Sequence, residues 1–290
     1  MGRIDEALKR AGGGDTQPAA SSGKLFKPAW SVSERQEAIA AAPLAAPAPV
    51  LPVLAPNAHP DQGLVRFSSR WKERLAAGPD SDVGLTEQFR RLAATLHHSH
   101  LSNGLSSLML TSASPGDGKT LTAVNLALVL AGSYRYKVLL VDADLRRPSM
   151  PNVTDQSEGC GLSEALTAPS ERKLALIPIT PGLTLLPAGP PIANSIEALT
   201  SPRMRQILDE ATSRFDWVLL DAPPVGPATD ARLLSQMVGT SLFVIHAGTT
   251  QCPDVQQAIA AIGREHILGI VLNGVESVGP EPYYYGVAQR

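Results

Sequence analysis

The segment Ala113-Ser114-Pro115-Gly116-Asp117-Gly118-Lys119-Thr120 sets a lysine and a hydroxyl directly behind a glycine-rich turn. Gly116 and Gly118 free the backbone to curl, so that its N–H groups face inward and cradle phosphate oxygens. In that arrangement Lys119 reaches the terminal phosphates and the Thr120 hydroxyl ligates Mg²⁺. The position usually held by the first glycine of such loops is Ala113. Ser114, Pro115, Gly116, Asp117, Gly118, Lys119, Thr120 and Leu121 are therefore the candidate nucleotide-binding residues. Further along, Val138-Leu139-Leu140-Val141 runs into Asp142-Ala143-Asp144, and Trp217-Val218-Leu219-Leu220 runs into Asp221. Carboxylates beside a magnesium phosphate site allow two tasks: orienting metal-bound water, and accepting a proton from an incoming hydroxyl. Asp142 and Asp144 are the candidates for the base; Thr120, Asp142 and Asp221 are the candidates for the metal side. The last group is Tyr283-Tyr284-Tyr285, three of the chain's five tyrosines. A phenol with a pKa of about 10 must lose its proton as it attacks, which gives a spare carboxylate something to do.

Strands and helices must hold these residues in place. An apolar run ending at 108–110 predicts a buried strand, and 120–131 predicts a helix with Leu121, Val124, Leu128 and Val129 apolar. Strand, tight loop, helix is the setting that a phosphate loop requires. Side chains alternate along a strand, so Asp142 and Asp144 are expected to project to one side. In open parallel sheets ligands bind at the carboxyl ends of the strands, where these carboxylates fall. Downstream, the pattern predicts helices from 161, from Ser201-Pro202, over 229–238 and from Pro253, and strands over 183–186, 242–245 and 267–272. The alternation predicts an α/β fold with a mostly parallel central sheet covered by helices on both faces. Leu85, Phe89, Leu92 and Leu96 form a helical stripe. Off that stripe, Glu87 either pairs with Arg90 or Arg91 in its own helix or meets a neighbouring subunit. His97, His98 and His100 lack the Cys, Asp or Glu spacing of a metal site and read as a solvated helix end. His246 closes a strand, at the nucleotide edge or within the fold.

At these residues the chain resembles the bacterial tyrosine kinases of capsule and exopolysaccharide assembly. That family joins a P-loop to three apolar residues followed by Asp-x-Asp-x-Arg, here Leu139-Leu140-Val141-Asp142-Ala143-Asp144-Leu145-Arg146. A later Asp-x-Pro-Pro is matched by Asp221-Ala222-Pro223-Pro224. The resemblance runs from about residue 85 to 273 and includes the tyrosine tail. The opening Met1-Gly2-Arg3-Ile4-Asp5-Glu6-Ala7-Leu8 resembles the start of a soluble, exosortase-associated subgroup. The resemblance implies a P-loop NTPase fold of the partition-ATPase kind, with ATP and Mg²⁺. It also implies autophosphorylation of the C-terminal tyrosine cluster within a homo-oligomer, and a membrane-embedded polysaccharide co-polymerase as activating partner. Carried over residue by residue, it gives phosphate and Mg²⁺ contacts to Lys119 and Thr120. The base is Asp142 or Asp144, Asp221 is a metal-side carboxylate, and Tyr283, Tyr284 and Tyr285 are the phosphoacceptors. Asn273 matches a strand-end asparagine that contacts adenine, and is equally readable as a turn residue before Gly274. The family's oligomerisation helix carries Glu-x-x-Arg-x-x-Arg; Glu87 and Arg90 match, while the third position is Ala93.

At 290 residues there is room for one α/β domain of about 200 residues plus extensions. A net charge of −2 supplies no basic surface for nucleic acid. Cys160 and Cys252 have no metal-ligand or Cys-x-x-Cys spacing and fit a reducing compartment. There is neither an apolar signal region at the start nor an apolar run of about 18 residues. The expected location is cytoplasmic, at the inner membrane through a partner that carries the spans. The expected divisions are 1–39, an extension with a short helix bearing Ile4, Leu8 and Ala11; 40–80, an Ala/Pro-rich linker; 81–279, the P-loop kinase domain; and 280–290, the tyrosine tail. Pro280 and Pro282 disfavour helix, so the tail phenols either reach an active site or pack as anchors. Two other readings stand beside the kinase. One is a partition-type ATPase switch, a class that usually carries a lysine near the loop's start, where this chain has Ala113 and Ser114. The other is an adaptor that binds ATP without transferring phosphate.

Overall fold

In the computed structural model the described residues are 67, 71, 73–77, 81–150, 161–168, 174–226 and 230–275. The expected helix around Ile4 and Leu8, linker residues 40–66, Cys160 and the tyrosines at 283–285 lie outside them. Helix α1 (Val83–Asn103) starts where the Asp82 carboxylate accepts the Leu85 N–H at 2.6 Å. It stops at Gly104, whose φ of 67° is left-handed and whose N–H returns to the His100 carbonyl. Then follow β1 (Ser107–Ser112), α2 (Lys119–Ser133), β2 (Val138–Asp142), α3 (Leu162–Thr167), β3 (Ile177–Thr180) and β4 (Leu183–Leu186). The chain continues through α4 (Ser195–Leu199), α5 (Pro202–Arg214), β5 (Trp217–Asp221), α6 (Asp230–Val238), β6 (Ser241–His246), α7 (Cys252–Ile262) and β7 (Ile267–Asn273).

The strands form one seven-stranded sheet in the order β3-β4-β2-β5-β1-β6-β7. Every pairing is parallel except β3 with β4. Helices α1 and α2 cover one face, where Ala93, Leu96, Leu126 and Leu130 meet Leu108, Leu140, Trp217 and Leu219. Helices α5, α6 and α7 cover the other, where Met204, Leu234 and Ile259 meet Met109, Val141, Leu220 and Phe243. This is the mostly parallel, helix-covered sheet that the alternating pattern predicts, in the P-loop NTPase architecture that the resemblance implies. Strand β3 carries no clean signal because Pro178 interrupts it; the proline is tolerated at the sheet edge, beside an irregular register. Among the described residues no helix is long and apolar enough to cross a membrane.

Two details of α1 bear on its expected roles. Glu87 pairs with Arg90 at 3.9 Å and Arg91 at 3.8 Å on the exposed side, so the intrahelical pairing is formed. His97 and His100 depart from the expected solvated end. His97 Nδ1 lies 2.6 Å from the Tyr136 hydroxyl, and the His100 ring lies 5.4 Å from that of Trp217. On one side of the last turns His97 and His100 face Tyr134, Tyr136 and Trp217, while His98 and Leu101 on the other side are exposed. Phe67, Leu75 and Ala76, before the expected domain start at 81, also pack into the α1–α2 core. The buried Asn125 of α2 ties them down, accepting the Ala76 N–H at 2.7 Å and donating to the Arg74 carbonyl at 3.0 Å.

Candidate active site

The site grows from the carboxyl ends of β1, β2 and β5, which are adjacent in the sheet. Asp142 and Asp221 are direct partners in the β2–β5 register. They share a face with Leu140 and Leu219, the face that α2 covers, so both point toward the first turn of α2. There the Thr120 hydroxyl donates to Asp221 Oδ2 at 2.7 Å. Lys119 Nζ stands 3.7 Å from Asp221 Oδ1 and 3.9 Å from Asp144 Oδ2. Although β2 ends at Asp142, Asp144 therefore still faces the same lysine.

The loop before α2 has the curled backbone its glycines allow, with φ of 92° at Gly116 and 96° at Gly118. A side chain at Gly118 would collide with the Asn273 amide. Asp117 is turned inward and is 3 % exposed. Its Oδ2 accepts the Ser114 N–H at 2.9 Å and its Oδ1 accepts the Thr250 hydroxyl at 2.7 Å. The Asn273 amide donates to the Asp117 carbonyl at 3.0 Å. Asp117 thus shapes the loop from within, and Asn273 closes it from the end of β7. Pro115 and Gly116 are exposed at the loop tip, with Ser114 and Leu121 half-buried beside them.

The two carboxylates after β2 have different surroundings. Asp142 is fully buried, with the Ser149 and Met150 N–H groups on Oδ2 at 3.1 and 2.9 Å and the Asp144 N–H on Oδ1 at 3.2 Å. Burial first, and then the Asp221 charge beside it, push its pKa up to about 7. Asp221 is also pushed up, chiefly by burial; Lys119 and the hydroxyls of Thr120 and Ser149 oppose the shift. Asp144 accepts the Arg147 N–H on Oδ1 at 3.0 Å, while its Oδ2 meets only Lys119 among the described residues.

A divalent cation fits this corner. Asp221 Oδ1 is buried without a hydrogen-bond donor, an arrangement that a cation relieves. The donors around it are hard oxygens, as Mg²⁺ prefers. Among the described residues no group of three or more His, Cys, Asp or Glu is arranged to hold a metal alone. That suits an ion bound by one or two carboxylates together with phosphate.

Further side chains support the site; of these Ser149 and Thr250 carried no spacing signal, while Arg146 is the arginine of the Asp-x-Asp-x-Arg motif. Ser149 sits in the turn after the Asp-x-Asp-x-Arg motif, with its hydroxyl 3.1 Å from Thr120 Oγ1 and 3.2 Å from Asp221 Oδ2. Arg146 Nε bonds Asp230 Oδ2 at 2.9 Å and Ser195 Oγ at 2.8 Å, joining the β2 end to α4 and α6. Thr250, in the turn after β6, reaches back to the P-loop. His246 lies at this edge too, its N–H donating to Thr250 Oγ1 at 2.9 Å.

Comparison with known proteins agrees with this geometry. Residues 109–236 match the AAA domain family. The chain is 33% identical to tyrosine-protein kinase YwqD of Bacillus subtilis over 222 residues, which are 75% of this chain and 93% of YwqD. It is 34% identical over 228 residues to tyrosine-protein kinase Etk of Escherichia coli, 76% of this chain but 31% of Etk, so it spans under a third of that longer protein. The solved kinase domain of Escherichia coli ETK superposes with a TM-score of 0.62 at 34% identity, covering 70% of this chain and 80% of that domain. The chimerical protein CapA2B2 gives a TM-score of 0.62 at 29% identity, covering 67% and 86% respectively. The chain belongs to the family of bacterial tyrosine-protein kinases.

Proposed function

We propose that this chain transfers the γ-phosphoryl group of ATP to tyrosines of its own C-terminal cluster, Tyr283, Tyr284 and Tyr285. The observation that carries the reading is Lys119, held between Asp144 Oδ2 and Asp221 Oδ1 at the mouth of a phosphate loop. A lysine so placed is poised to exchange its carboxylate partners for phosphate oxygens. The exchange frees Asp144 Oδ2 to face an incoming hydroxyl. Asp144, rather than Asp142, is the base in this reading, because backbone N–H groups already occupy both oxygens of Asp142.

In the transfer, the tyrosine oxygen bonds to the γ-phosphorus as its proton passes to Asp144. The bond from phosphorus to the β–γ bridging oxygen breaks, and ADP leaves with that electron pair. Thr120, Asp221 and, behind them, Asp142 would hold Mg²⁺, which draws electron density from the phosphate oxygens and offsets their charge. The loop N–H groups and the N-terminus of α2 orient the phosphates. In this reading Asn273, which supports the loop through the Asp117 carbonyl, also borders the adenine.

Membership of the family supports a wider role in this reading. The kinase acts in exopolysaccharide or capsule polymerisation and export, as a homo-oligomer at the inner membrane, activated by a membrane-embedded co-polymerase. Each added phosphate brings close to −2 charge, which repels a modified tail from the carboxylate-rich site and favours product release. Incubating the full chain with γ-labelled ATP and mapping the label tests the central step. Label on Tyr283 to Tyr285, lost in Lys119→Met, is the expected result. Free phosphate without labelled tyrosine would identify an ATPase switch, and neither product an ATP-binding adaptor.

A further inference from the structure

Ser149 belongs to none of the motifs, yet it touches every group on the metal side of the site. Its N–H donates to Asp142 Oδ2 at 3.1 Å. Its hydroxyl donates to Asp221 Oδ2 at 3.2 Å and lies 3.1 Å from the Thr120 hydroxyl. The next residue, Met150, is buried and also donates to Asp142 Oδ2, which anchors the turn. Asp221 Oδ2 therefore receives two hydroxyl protons, from Thr120 and Ser149. The orphaned oxygen, Oδ1, is left on the Lys119 side. With its proton committed to Asp221, the Thr120 hydroxyl keeps lone pairs for a cation.

We propose that Ser149 is a positioning residue for the divalent cation. Its hydroxyl fixes the rotation of the Asp221 carboxylate, so that Oδ1 is presented to the ion and Thr120 is kept in its donor-to-Asp221 orientation. This rests on the reading of Thr120 and Asp221 as the cation corner and adds the group that orients them. Without the hydroxyl, Asp221 is held through Oδ2 by Thr120 alone and can turn. Partners behind metal ligands typically set affinity by about 10- to 100-fold, so a loss of about tenfold is expected here.

The experiment measures Mn²⁺ binding to the ADP complex of the full chain by electron paramagnetic resonance, and ADP affinity separately in EDTA. In Ser149→Ala and the near-isosteric Ser149→Cys, Mn²⁺ affinity falls about tenfold. Ser149→Thr, which keeps the hydroxyl, restores it, and ADP affinity in EDTA stays at the wild-type value in all three. Unchanged Mn²⁺ affinity in both the Ala and Cys variants overturns the proposal. An equal loss of ADP affinity in EDTA also overturns it, since the residue would then be shaping the loop. If the wild-type complex binds Mn²⁺ no better than free ADP does, the cation corner itself is wrong and the proposal falls with it.

Discussion

Asp142 and Asp144 come from one short motif but differ in what surrounds them, and the difference separates their variants. Asp142 accepts N–H groups from Asp144, Ser149 and Met150, so it orders the turn that follows β2. Asp144 offers Oδ2 to a lysine that phosphate would draw away. Asp144→Asn should leave ADP affinity within about twofold of wild type while tyrosine labelling slows by about 10²- to 10⁴-fold, the usual size of a general-base effect. Single-turnover labelling, measured with ADP titration, checks both halves. Labelling at nearly the wild-type rate in Asp144→Asn would remove it as the base. The order of these carboxylates and of Lys119 along the chain was readable from residue type and spacing. Their division of labour was not, because it depends on which N–H groups the turn at 147–150 directs back toward β2.

At the scale of elements, the P-loop is held by the turn after β6 as well as by its own glycines. Thr250 donates to the buried Asp117 carboxylate at 2.7 Å and accepts the His246 N–H at 2.9 Å, so strand end, turn and loop form one unit. Thr250→Val leaves Asp117 Oδ1 without its donor, at a cost of about 1–3 kcal/mol for a buried acceptor. If the loop relaxes to recover a partner, its inward N–H geometry is lost. Nucleotide affinity should then fall about tenfold, with Thr250→Ser near wild type. Titration with a fluorescent ADP analogue measures this; equal affinity in all three proteins would show that the loop holds its shape unaided. The apolar runs at β1, β2 and β5 announced themselves because each is continuous and ends in a loop or a carboxylate. Strand β3 did not, because Pro178 breaks its pattern, and α4 is too short to show a period. Thr250 was invisible for another reason: its partner lies 133 residues away, and only the sheet order brings them together.

For the molecule as a whole, the sheet order concentrates negative charge where β2 and β5 end side by side, and stability must register it. Asp142 has a folded-state pKa of about 7 against an ordinary value of 3.8, and Asp221 is shifted in the same direction. A raised carboxyl pKa means that the folded state binds the proton more tightly than the unfolded state does. Between about pH 4 and pH 7 the folded chain therefore carries more protons at Asp142, and its contribution to stability falls as pH rises. Above pH 7 the Asp142 contribution is flat. Asp142→Asn removes the ionisation while keeping an oxygen that can accept N–H groups, so it should flatten this dependence whatever its absolute melting temperature. Relative to wild type, the nucleotide-free variant should gain on the order of 5 °C in melting temperature between pH 5 and pH 8. Calorimetric scans of both proteins across that range decide it. Parallel profiles would mean that water reaches the carboxylates freely, and that the packing of α2 over the ends of β2 and β5 does not isolate their charge.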